Sequence, residues 1–165
     1  MMVLKDSRGD QDIMAKKVLV AYYSWSGTTK RLAQQINSQV PGSTIFEIKV
    51  PDNTFSNDMN KTSDISKRQL ANNDLPEVVE QVEKLNDYDL VLVGGPVWSG
   101  AISTPVMSFL NDIQGFSGQV APVYTDAGSY DGYEASFKKS AGKLDVIKGF
   151  EGHQDLNAWL EQVTR

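Results

Sequence analysis

The sequence predicts an α/β fold: a five-stranded parallel sheet with helices on both faces. Three observations carry this. Short apolar runs of strand length recur along the chain without polar alternation, as strands buried on both faces require. Between them lie segments whose apolar residues return every three or four positions, the spacing of a helix with one buried side. The two patterns alternate five times in 165 residues, and such alternation packs as parallel strands joined by right-handed helical crossovers.

The elements follow in order. Residues 1–13 mix both charge signs without a long apolar run and are expected to be a disordered extension, with one domain over residues 14–165. Lys17 to Tyr23 is the first strand, followed by a helix in which Leu32, Ile36 and Val40 share a face and which Pro41-Gly42 stops. Thr44 to Val50 reads as the second strand, rich in β-branched and aromatic residues. Residues 51–75 are polar without a sustained apolar period, with Ile65 to Leu70 able to form a short helix. Pro76 then suits the first turn of a helix carrying Val78, Val79, Val82 and Leu85. Leu90 to Gly94 is the third strand, and a helix from about Thr104 turns Val106, Phe109, Leu110 and Ile113 inward. Val120 to Thr125 is the fourth strand, where Pro122 predicts an irregularity or a place near the edge. A helix over Tyr133 to Ala141, a short strand near Leu144 to Ile147 and a last helix with Leu156, Trp159, Leu160 and Val163 on one face complete the chain.

Composition excludes several chemistries. With no Cys there is no disulfide, thiolate nucleophile or Cys-ligated metal, and with His153 alone there is no imidazole cluster. No metal site and no catalytic residue is assigned; redox chemistry would have to come from a bound cofactor. Sixteen basic residues against twenty-one acidic ones give a net charge of −5, which argues against nucleic acid and suits a basic protein partner. No run is long enough to span a bilayer, and a cytoplasmic location is expected.

Ligands of open parallel sheets bind at the carboxyl ends of the strands. Three loops expected there are rich in glycine, hydroxyls and aromatics. The first, Ser24-Trp25-Ser26-Gly27-Thr28-Thr29, leads into a helix N-terminus, where free N–H groups and the helix dipole favour an anion. It matches neither G-x-x-x-x-G-K-[ST] nor G-x-G-x-x-G. Its hydroxyls could instead cap the helix, although one or two would suffice for that. A terminal phosphate monoester, held by N–H groups and hydroxyls without an intruding lysine, is the ligand it suits. The second loop, Pro96-Val97-Trp98-Ser99-Gly100, offers an aromatic that could stack on a planar ring or pack into the crossover. The third, Asp126-Ala127-Gly128-Ser129 with Asp131 beyond, offers backbone donors and negative charge. His153 reads as a surface or cap residue and Trp159 as core, while Trp25 could cover a ligand or stand exposed.

The first loop between its strand and helix resembles the phosphate loop of the flavodoxin family. The run Gly95-Pro96-Val97-Trp98-Ser99-Gly100, with Pro105-Val106 and Phe109-Leu110 behind it, is similar to that family's second flavin loop, and Asp126 to Ser129 to its third. The resemblance covers about residues 15–164 and implies a short-chain, flavodoxin-like three-layer sandwich with strand order 2-1-3-4-5 and FMN at the switch point. By that resemblance Ser24, Ser26, Gly27, Thr28 and Thr29 hold the FMN phosphate. Pro96, Val97, Trp98, Ser99 and Gly100 line the isoalloxazine, with Ser99-Gly100 as the peptide that reorients near flavin N5. Asp126, Ala127, Gly128 and Ser129 flank the pyrimidine edge, where acidic neighbours would lower the flavin potential, and Tyr130 or Tyr133 would supply the stacking aromatic of this loop. The implied function is electron transfer by an FMN-binding protein to a redox partner protein, as a monomer or weak homodimer. An FMN-dependent NAD(P)H:quinone oxidoreductase is the alternative, with only residues 51–75 to build a quinone and nicotinamide pocket. A flavodoxin-like scaffold for another phosphorylated ligand is a third reading.

Overall fold

The structure, a computed structural model, describes residues 16–125, 132–152 and 154–165. The central sheet contains β1 (Val18–Tyr22), β2 (Thr44–Glu47), β3 (Leu90–Gly95), β6 (Gln119–Tyr124) and a divided edge strand, β7 (Asp145–Val146) with β8 (Phe150–Glu151). Its order is β2-β1-β3-β6-β7, with β8 also pairing β6, and every pairing is parallel. Between β3 and β6 lies a two-residue-per-strand antiparallel hairpin, β4 (Val97–Trp98) with β5 (Ala101–Ile102). The helices are α1 (Thr28–Gln39), α2 (Met59–Ala71), α3 (Thr104–Asp112), α4 (Tyr133–Ala141) and α5 (Leu156–Val163).

Strand residues alternate between two cores, as a period of two dictates. Leu19, Ala21, Val91 and Val93 pack with Val106 and Phe109 of α3 and Phe137 of α4. Val18, Val20, Leu90 and Leu92 pack on the other face with Ile36 of α1 and Trp159, Leu160 and Val163 of α5. Trp159 is core, as expected, and its Nε1 donates to the Lys148 carbonyl at 3.0 Å. This is the expected α/β sandwich with the expected strand order.

Two elements depart from expectation. Residues 76–84 are not helical. The Val79 N–H donates to the Lys49 carbonyl at 2.8 Å, the Pro76 carbonyl accepts from Ser108 Oγ, and only a 3₁₀ turn at Leu85–Asp87 follows. Three valines in this stretch are poor helix formers, and its buried Val78 is held by an extended strap beside the end of β2 rather than by a helical turn. The crossover helix is α2 instead. It lacked an apolar signature because its buried positions are Thr62 and Ser66. The Thr62 hydroxyl donates to the Ser56 carbonyl at 2.7 Å and accepts from the Ser56 N–H at 3.1 Å, so a polar inward face is satisfied by the preceding loop.

The expected irregularity at Pro122 is also present. From Val120 to Val123 β6 advances three residues, while the edge strand advances four from Val146 to Phe150. The extra residue falls opposite Pro122, which has no N–H to offer a ladder. Gly149 passes so close that a Cβ there would lie 2.5 Å from both Pro122 Cγ and the Pro122 carbonyl oxygen.

Candidate functional site

The first and second loops meet at the carboxyl end of β1 and β3. The Tyr23 N–H donates to the Gly94 carbonyl at 3.0 Å, and a Cβ on Gly94 would stand 3.2 Å from Thr29 Cγ2. Glycine at 94 therefore lets the start of α1 approach the sheet directly. Thr29 is buried there, whereas Ser26 and Thr28 are exposed and Ser24 is half-buried.

The hydroxyls of this loop do not cap α1. Gly27 occupies the N-cap position at φ 98°, no side chain accepts from the first turn, and no acidic residue lies in it. By contrast, Asp58 and Asp155 cap α2 and α5 by accepting from Lys61 N and Ala158 N. Ser24 Oγ accepts from the Gly27 N–H at 3.0 Å, which folds the loop back on itself, and Ser26 Oγ and Thr28 Oγ1 stand 3.5 Å apart. A helix N-terminus ringed by outward hydroxyls is a place for an oxyanion.

Trp98 is half-buried on the hairpin. It meets the Phe55 ring edge-on at 5.2 Å between centroids and the Tyr23 ring at 5.9 Å. Two edge contacts fix the indole from the side without burying it in the crossover. The connection between β4 and β5 is Ser99-Gly100, at φ 54° and 77°, the paired left-handed conformation that joins tight hairpins. A Cβ on Gly132 would lie 3.2 Å from the Gly100 carbonyl oxygen, and Ile102 N donates to Ser136 Oγ at 3.3 Å, so α4 braces the hairpin. Pro96 and Val97 line its approach and are half-buried.

Residues Asp126, Ala127, Gly128 and Ser129, with Tyr130, Asp131 and His153, lie outside the described residues. Tyr133 is described and is no stacking platform. It is fully buried, stacked on Tyr124 at 4.2 Å, and burial, with the Tyr124 phenol adding to it, pushes its own phenol far up. Trp25 is half-buried and tethered, its Nε1 donating to the Ser56 carbonyl at 2.9 Å.

The pattern of the flavodoxin family matches residues 17–163. The chain belongs to the flavodoxin family. A crystal structure of a Lactobacillus acidophilus flavoprotein in complex with FMN is 41% identical, overlays with a TM-score of 0.82, and is covered over 99% of its length by 88% of this chain. The NMR structure of the apo-form of that flavoprotein is 42% identical, with a TM-score of 0.71 over 88% of this chain and 98% of the other. A Cupriavidus metallidurans protein named NAD(P)H dehydrogenase (quinone) is 31% identical over 129 residues, 73% of this chain. The chain spans 61% of the length of that relative.

Beside the flavodoxin-type first loop stands a residue that the sequence reading passed over. Arg31 lies one turn into α1, and its Nη2 reaches Thr28 Oγ1 at 3.5 Å. A cation therefore stands beside the first loop, supplied from the helix rather than from the loop. The signal was the i, i+3 spacing from Thr28, which puts both side chains on one face. Phe55 and Tyr23 were missed as supports of Trp98 because nothing in sequence brings position 55 to position 98. Among the described residues no cluster of acidic and histidine side chains could hold a metal, and no helix is long and apolar enough to cross a membrane.

Proposed function

We propose that this flavodoxin-family chain binds FMN and carries electrons between redox partner proteins. The observation that carries the reading is the uncapped α1 N-terminus, ringed by hydroxyls and Arg31 and packed through Thr29 against Gly94, with the Trp98 hairpin next to it. The donor set fits a phosphate monoester: backbone N–H groups, Ser24, Ser26, Thr28 and Thr29 hydroxyls, and a guanidinium. Pro96, Val97, Trp98, Ser99 and Gly100 would take the isoalloxazine, and residues 126–129 would flank its far edge. Bound there, FMN would supply the electron-carrying chemistry that a chain without Cys and with a single His lacks. The FMN complex of the similar L. acidophilus flavoprotein supports the same cofactor here.

A second reading rests on the C. metallidurans relative: an FMN-dependent NAD(P)H:quinone oxidoreductase. The discriminating experiment is direct. Purified protein should show flavin absorbance in the visible, and protein stripped of flavin should regain it on titration with FMN. Rapid NAD(P)H oxidation by a quinone, with no added reductase, would move the assignment to the second reading. No FMN uptake would reject both.

A further inference from the structure

One face of α2 is left over by this reading. Met59, Thr62, Ser63, Ser66, Lys67 and Leu70 recur at the spacing of a single helical stripe. Opposite them stand Val97, Trp98, Ala101 and Ile102 of the hairpin, with Met107 of α3 between, and the two sides enclose a cavity of about 280 Å³. Among the described residues only four large apolar side chains are strongly exposed. Two of these, Met59 at 53% and Leu70 at 50%, are the two ends of this stripe. Two exposed apolar side chains that flank the mouth of one cavity suit a ligand or partner site.

The polar groups narrow the ligand. Thr62 is already satisfied by Ser56, but the Ser63 and Ser66 hydroxyls hold no hydrogen bond among the described residues, and Lys67 meets no carboxylate there. All three can donate, and Lys67 carries the positive charge at this cavity. The volume lies just under the range of about 300–1,000 Å³ typical for drug-sized ligands, which limits the occupant to one or two rings. The net charge of −5 does not forbid an anion, because charges beyond about 8–10 Å are screened at ordinary salt while Lys67 acts at contact.

We propose that the cavity between α2 and the Trp98 hairpin binds a small planar aromatic anion, such as an aromatic carboxylate, with its rings against Trp98 and the apolar wall and its acidic oxygens toward Lys67 and the α2 hydroxyls. The site stands on α2 geometry and does not require the FMN reading. Where FMN does bind the hairpin, Trp98 is shared by both sites, so each ligand changes the affinity of the other by the same factor.

The test uses 2-naphthoate, a redox-inert probe, titrated into the full-length protein with and without added FMN. Calorimetry and the indole N–H signal of Trp98 follow binding, and 2-naphthylmethylamine serves as the cationic counterpart. Saturable one-site binding is expected, with a shifted Trp98 signal and weaker binding of the amine. Lys67→Gln should weaken naphthoate by up to about fivefold, the loss of one exposed charge contact. Ser63→Phe, which fills the cavity from its rim, should abolish binding while FMN titrates as before. Ser66→Leu fills it from the buried side and repeats the test should Ser63→Phe fail to fold. Equal binding of anion and amine, insensitivity to both Lys67→Gln and filling, or full displacement of naphthoate by FMN would overturn the proposal. A chain that binds naphthoate but takes up no FMN would reject only the function proposed above.

Discussion

Gly27 turns the chain into α1 at φ 98°, a conformation that L side chains rarely adopt, and so brings the first turn of the helix to face the loop rather than a cap. If that turn holds a phosphate, Thr28→Ala with Thr29→Ala should lower FMN affinity by about 100-fold or more, as hydrogen bonds to a charged group are worth about 1.5–3 kcal/mol each. Calorimetric titration reads this, and an unchanged affinity would remove the hydroxyls from the phosphate site. Arg31→Gln should weaken FMN by about tenfold and flatten the dependence of affinity on salt, since a guanidinium–phosphate contact is charge-assisted and screened. Two of the three loops of the candidate site could be picked out in sequence, because Ser24 to Thr29 and Pro96 to Gly100 are contiguous and each loop adjoins its strand, while residues 126–129 lie outside the described residues. Arg31, Tyr23 and Phe55 were not. Their roles arise from a helical face and from a long-range contact, and neither is written in local composition.

At the scale of elements, the hairpin is positioned by absence of side chain as much as by presence. A Cβ on Gly95 would lie 2.7 Å from Val106 Cγ2 and 3.2 Å from the Tyr133 hydroxyl. Both are fully buried neighbours on helices that cannot easily retreat. Gly95→Ala should therefore cost about 1–3 kcal/mol by overpacking, measurable by denaturant unfolding, and should loosen the hairpin that carries Trp98. The strands, α1, α3, α4 and α5 were readable from apolar period and turn residues. Residues 76–84 misled because proline followed by spaced valines satisfies a helical count, yet their backbone groups pair with Lys49 and Ser108 from distant segments. Helix α2 was legible only over Ile65 to Leu70, for the converse reason. Its inward side is built of Thr62 and Ser66, and only tertiary hydrogen bonds make such a face buriable.

Across the whole molecule, buried phenols make stability depend on high pH. Burial pushes the Tyr23 hydroxyl up to about 12 from 10.0; Tyr133 moves in the same direction, and so does Tyr22, by burial and then by Glu47. The unfolded chain therefore loses these protons first as pH rises. Their contribution is complete below pH 10 and is lost as pH climbs through about 12, so thermal midpoints should fall over that window and Tyr23→Phe should make the fall shallower. The net charge of −5, spread over a fold whose cofactor chemistry would lie at one edge of the sheet, would make association with the proposed basic redox partner salt-sensitive. The central claim is that α1 and its loop grip a phosphate beside the Trp98 hairpin. Parallel titration of flavin-stripped protein with FMN and with riboflavin, which lacks the phosphate, tests it most directly. FMN should bind at least about 100-fold more tightly, since several charge-assisted hydrogen bonds are at stake. Equal affinities for the two flavins would contradict a phosphate site at the head of α1.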